Sequence, residues 1–214
     1  MLDFSFLKKY YMFYIIGAKN TIIIAIFSVL FGVILGIILG LMKQSKFKPL
    51  KVFATAYIEF VRGTPLLVQL FIIYYGLPLN LTEIPAGVVA LSLNSGAYVA
   101  EIIRSGIEAI DKGQMEAARS LGMTHAQSMR FIILPQAIKN ILPVLGNEFI
   151  TIVKESSIVS VIGVSEIMYN ANTIRSNTFK PFEPLLVAAV VYFLLTYTLS
   201  KLVIFAERRL KTSD

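Results

Sequence analysis

The chain has 214 residues, of which 56% are hydrophobic and 15% charged, with a mean hydropathy of +0.72. Soluble domains carry about 25% charged residues, so an ordinary soluble surface is disfavoured. The lack of cysteine and the single histidine, His125, exclude disulfides, thiolate metal sites and histidine-cluster catalysis. The formal net charge of +7 fits a nucleic-acid binder or a membrane protein with its cations on one side, and charge placement separates the two.

Residues 1–19 hold Lys8, Lys9 and an aromatic cluster that includes Phe4, Phe6, Tyr10 and Tyr14. Two lysines before an apolar stretch resemble a signal peptide. The stretch is short and rich in tyrosine, which favours the headgroup zone, so an interfacial N-terminal helix is expected. Thr21 to Met42 carries no charge and is long enough to cross a ~30 Å bilayer core. Gly32, Gly36 and Gly40 recur every four residues and read as a face for close helix packing. A basic turn follows, with Lys43, Lys46, Lys48 and Lys51.

Val52 to Leu79 is the second expected span, interrupted by Glu59, Arg62, Gly63, Thr64 and Pro65. Pro65 removes a backbone donor and predicts a kink. The third span, Ile84 to Ile103, contains Ser92, Asn94, Ser95 and Tyr98 and ends near Glu101 and Arg104. Residues 105–136 form a polar island. Within it Gln114 to Leu121 predicts a short helix, Gly122 a sharp turn, and Thr124 the N-cap of a second helix reaching Leu134. Pro135 marks the start of the fourth span.

That span, Ala137 to Val164, contains Pro143, Gly146, Asn147, Glu148, Lys154, Glu155, Ser156 and Ser157, and reads as broken or tilted. Residues 165–183 read as a polar loop with a short helix. Leu185 to Ala206 is the fifth span, followed by Glu207, Arg208, Arg209 and Lys211. With the Lys43–Lys51 turn inside, the polar island and the C-terminal tail are also inside. The basic residues then concentrate in the cytoplasm and the N-terminus lies outside. This accounts for the charge without nucleic acid. The expected fold is all-α: a polytopic membrane protein with five transmembrane helices, a single domain over 1–214 and a cytoplasmic helical loop over 105–136.

The island reads E-A-A-x3-G-x9-I-x-L-P, with Glu116, Ala117, Ala118, Gly122, Ile132, Leu134 and Pro135. It resembles the cytoplasmic coupling loop of ABC importer permeases, of the histidine, glutamine and arginine type. Glu59-Phe60-Val61-Arg62-Gly63-Thr64-Pro65-Leu66-Leu67-Val68-Gln69, Gly96-Ala97-Tyr98 with Glu101 and Arg104, and Lys154-Glu155-Ser156-Ser157 resemble that family's second-, third- and fourth-helix signatures. The resemblance covers residues 18–210. It implies a permease dimer, of two copies or of this chain with a related one. It also implies two ATPase subunits beneath and an external binding protein. No G-x-x-x-x-G-K-[ST] phosphate loop is present. ATP and Mg therefore belong to the partner ATPase, and no cofactor or metal is expected in this chain. The coupling residues by this resemblance are Glu116, Ala117, Ala118, Gly122 and Pro135.

Ionisable groups inside a membrane are functional candidates by default, and Glu59, Arg62, Lys154 and Glu155 qualify. A zwitterionic amino acid needs an anion or acceptor for its ammonium and a cation or helix N-terminus for its carboxylate. Glu155 is the first candidate, with Asn94, Ser157, Gly63, Thr64, Glu59 and Arg62. Glu59 and Arg62, three apart on a helix, also read as a self-neutralising pair. Ser156 reads equally as bonding back to its own helix. Two acids favour a cationic substrate (arginine, lysine or histidine), with glutamine, glutamate or cystine as alternatives. A passive channel or structural membrane subunit has no need of a coupling motif, and no nucleophile–base pair supports an intramembrane enzyme.

Overall fold

The computed structural model describes residues 2–78 and 80–211, without the side chains of Leu210 and Lys211. Among the described residues every regular element is helical.

Helix α1 (Leu7–Gln44) is one uninterrupted helix of 38 residues. The expected separation of an interfacial segment from the Thr21 span is therefore not seen. Nothing between Lys8 and Met42 breaks a helix, because Gly17 packs against the Ile167 backbone instead of turning the chain. At ~1.5 Å per residue, α1 is about 57 Å long, well beyond a ~30 Å bilayer core. Ile26, Phe27, Leu30, Phe31, Ile34 and Ile38 are exposed along it. An apolar strip of this size left in water marks a lipid- or protein-facing surface.

The second expected span is two helices. α2 (Lys48–Gly63) and α3 (Leu66–Phe71), which runs on into a π-helical turn (Ile72–Gly76), are bent by 109°. The break falls at Thr64 and Pro65, where the sequence predicts it. Leu79, the expected end of this span, lies outside the described residues. α4 (Glu83–Glu108) is the central helix and packs against α1, α2, α3 and the later Leu134–Glu155 helix. Ser95 fits beneath Gly32 and Val99 beneath Gly36, while Gly96 receives Leu35.

After α4 the chain forms α5 (Lys112–Ser120), α6 (His125–Ser128) and a π-helical segment (Met129–Ile133). Then α7 (Leu134–Glu155) passes Pro143 without interruption. The expected irregularity comes later, where α7 gives way to a 3-10 turn (Ser156–Ile162). α8 (Ile167–Thr178) is the short helix of the 165–183 loop, and α9 (Glu183–Lys211) closes the chain. By length and apolarity α1, α4 and α9 qualify as membrane spans, with the bent α2–α3 pair as a fourth candidate.

The two ends of the bundle differ. At one end Tyr14 Oη donates to the Pro184 carbonyl (2.8 Å), Asn20 Nδ2 to the Ser165 carbonyl (2.7 Å), and Lys180 pairs with Asp3. Buried Glu166 caps α8 there, accepting from Met168 N, Tyr169 N and Tyr192 Oη. At the other end Lys43 meets Glu101 (3.3 Å), and Arg104 pairs with both Glu101 and Glu108. The basic turn and the α5–α6 loop lie at this second end.

Candidate functional site

The break between α2 and α3 frees backbone carbonyls that a membrane interior cannot hydrate. Gln69 answers this. Its Nε2 donates to the Val61 carbonyl (2.8 Å) and lies 3.1 Å from the Thr64 carbonyl and 2.9 Å from Thr64 Oγ1. Asn94 Nδ2 in turn donates to Gln69 Oε1 over 3.1 Å. Two of the expected site residues, Thr64 and Asn94, are thus brought together through Gln69, which closes the second-helix signature but was not among the expected site residues. Gly63 sits beside them, exposed, with open space where a side chain would go.

Glu59 and Arg62 are exposed on α2. They form no ion pair with each other among the described residues. Arg62 instead lies over the Tyr98 ring, 5.6 Å from its centroid, a cation–π contact. The expected mutual neutralisation is absent because α4 offers Arg62 an aromatic face.

On α7, Glu155 and Lys154 are exposed in the single chain, and Ser157 is half-buried in the 3-10 turn. Ser156 Oγ bonds back to the Val153 carbonyl at 2.9 Å, the helix-satisfying alternative. The four ionisable candidates Glu59, Arg62, Lys154 and Glu155 are therefore not buried within one chain. Of the two acids on α7, Glu148 is the half-buried one, and it accepts from Ser95 Oγ at 2.9 Å across the α4–α7 contact. Glu148 and Glu155 stand seven residues apart, on one face of α7. That heptad was the available signal for Glu148.

The loop over residues 105–136 forms as its residues dictate. Asp111 caps α5 by accepting from Gly113 N at 2.7 Å. Gly122 takes φ +88°, the left-handed turn that glycine permits. Thr124 and Gln127 make a reciprocal capping box at the start of α6. Pro135 lies in the first turn of α7. The second loop helix is short, since the chain becomes π-helical at Met129. Glu116 and Ala117 are exposed, whereas Ala118 is buried against the loop itself, so only one of the small pair faces outward. At the tip Leu121 is 85% exposed.

Residues 32–212 match the family described as "Binding-protein-dependent transport system inner membrane component". The chain belongs to this family. The permease is similar over its full length to relatives from Bacillus subtilis (strain 168). It is 46% identical to the arginine transport system permease protein ArtQ, covering 100% of this chain and 99% of ArtQ. It is 41% identical to the probable glutamine ABC transporter permease protein GlnM, covering 99% and 100% respectively. Among solved structures it resembles the crystal structure of an amino acid ABC transporter with histidines. There the identity is 53%, the TM-score 0.95, and the coverage 98% of this chain and 99% of that one. An inward-facing structure of the MetNI methionine transporter shares the fold, with a TM-score of 0.81 at 18% identity.

The permease is thus a membrane transport component without ATPase activity of its own. Family membership implies, in general terms, an ATPase, another permease and a binding protein as partners.

Proposed function

We propose that the permease imports basic amino acids, arginine, lysine or histidine, by alternating access. The partner ATPase binds ATP and Mg, and the permease holds no cofactor. The basic turn, the α5–α6 loop and the C-terminus face the cytoplasm, and the N-terminus faces outward. The α5–α6 loop, through Glu116, Ala117, Ala118, Gly122 and Pro135, engages the ATPase.

The observation that carries the substrate class is the pair of carboxylates on one face of α7, Glu148 beside Ser95 and Glu155 a heptad further on. An acidic face inside a membrane protein attracts a cationic side chain. The arginine relative and the structure with histidines support the same class. Gly63, Thr64, Asn94 and Ser157 supply polar groups near the helix breaks, and Glu59 and Arg62 the flanking charges.

Glutamine is the second reading, favoured by full-length similarity to a probable glutamine permease; glutamate and cystine follow. The test is ATP-driven uptake of arginine and glutamine by liposomes containing the permease and its ATPase, with Glu155→Gln and Glu148→Gln. Selective loss of arginine uptake supports the proposal. Equal loss of both substrates, or wild-type uptake of glutamine alone, overturns the basic-substrate reading.

A further inference from the structure

Gly32, Gly36 and Gly40 share one face of α1, but only two of them serve packing. A Cβ on Gly32 would meet Ser95 at 2.9 Å, and one on Gly36 would meet Val99 at 2.5 Å. At Gly40 it would meet nothing within 4 Å. Gly40 instead borders two neighbouring cavities. One, of about 430 Å³, lies between α1, α4 and α7. Apart from Gln44 its walls are apolar, with Ile37, Leu41, Ile107, Ile138 and Leu142 among them. The other, of about 300 Å³, is bordered by Lys43, Lys51 and Arg104 with Glu108. Gly40, Gln44 and Ile107 line both.

We propose that these two cavities act as one groove that holds one anionic phospholipid, with an acyl chain in the apolar part and the phosphate against Lys43 and Lys51. The proposal rests on the chain spanning a membrane and is independent of the amino acid it carries.

Dimension and charge support this occupant. From Val33 to Gln44 the apolar groove follows eleven steps of α1, about 16 Å at ~1.5 Å per residue. That is roughly half of a ~30 Å hydrocarbon core, the depth of one leaflet. At the mouth, Arg104 is held by Glu101 and Glu108, and Lys43 is shared with Glu101. Lys51 has no ion-pair partner among the described residues, and Lys46 and Lys48 are exposed on the same turn. Basic clusters at the end of a span attract anionic headgroups. A second copy of the chain would bring its own lysines against these, and a zwitterionic lipid would add an ammonium. An anionic lipid avoids both conflicts.

The test uses the permease–ATPase complex purified from bilayers containing phosphatidylcholine and phosphatidylglycerol, with retained lipid counted by native mass spectrometry. The wild-type complex should keep phosphatidylglycerol in preference to phosphatidylcholine. Gly40→Leu fills open space and should expel the lipid without disturbing a packed neighbour. Lys51→Glu, on an exposed side chain, should weaken retention about fivefold or more. Equal retention of both lipids, or unchanged retention in Gly40→Leu, overturns the proposal. So does displacement of the lipid by inorganic phosphate alone, which would mark a simple anion site. Because the chain has no cysteine, Gly40→Cys gives a further readout. A disulfide between two copies would make the groove a dimer seam and overturn the lipid, whereas quenching of a label there by brominated phosphatidylglycerol supports it.

Discussion

Asn94 Nδ2 donates to Gln69 Oε1 across 3.1 Å, so a residue of the central helix orients the amide that satisfies the broken second span. Both side chains are buried. Gln69→Leu leaves the Val61 and Thr64 carbonyls without this donor, and a buried unsatisfied polar group costs about 1–3 kcal/mol. Gln69→Leu is expected to lower the thermal stability of the purified permease clearly, and Asn94→Ala to lower it by less. If Asn94→Ala instead leaves melting unchanged and raises only the KM for uptake, its role is substrate contact and not support of the break.

The tip of the α5–α6 loop separates backbone from side-chain effects. Nothing lies within 4 Å of a Cβ on Gly122, so Gly122→Ala acts through the φ of +88° alone. A cost of about 1 kcal/mol, confined to the loop, is expected. Leu121 makes little contact within the chain, so Leu121→Ser should leave permease melting unchanged while reducing ATPase co-purification. Full retention of the ATPase by Leu121→Ser would show that the tip is not gripped.

Local chemistry was readable wherever a residue acts on its own backbone. Pro65 broke the second span, Gly122 turned the loop, and Thr124 capped α6, because each effect is decided within four residues. Features that depend on a distant neighbour were not readable. Gln69 closes the second-helix signature, but its task is visible only once the bend brings Val61 and Thr64 to its amide. Arg62 had a plausible partner in Glu59 until α4 supplied Tyr98. The exposure of Glu155 in a single chain, and the contact of Glu148 with Ser95, follow from how α7 lies on α4. Length misled at α1, where an apolar core flanked by an aromatic segment suggested two elements and the chain made one helix.

At the N-terminal end of α1, Lys180 and the backbone N–H of Ser5 hold the Asp3 carboxyl down at about 2. An unperturbed aspartate titrates at ~3.9. A depressed folded value contributes stability above the unfolded value, and that contribution is lost as pH falls through the folded one. Any difference in melting between wild type and Asp3→Asn should therefore be present at neutral pH and close as pH falls from about 4 toward 2. A difference that widens with acid would contradict the Lys180 tether.

Gly36 and Gly40 lie one helical turn apart on α1 and predict opposite outcomes for the same substitution. In Gly36→Ala the new methyl meets Val99 Cβ at 2.6 Å and the Ala100 nitrogen at 3.0 Å. The Ala100 nitrogen belongs to the α4 backbone and cannot rotate away, so the helices must separate. Overpacking of this kind costs about 1–3 kcal/mol, and the loss should appear as a lower melting temperature. In Gly40→Ala the methyl enters open space, and alanine is the better helix former by up to about 1 kcal/mol. Its melting temperature should be unchanged or higher. If both variants melt alike, the approach of α1 to α4 is looser than the 2.5–3.0 Å contacts at Gly36 indicate.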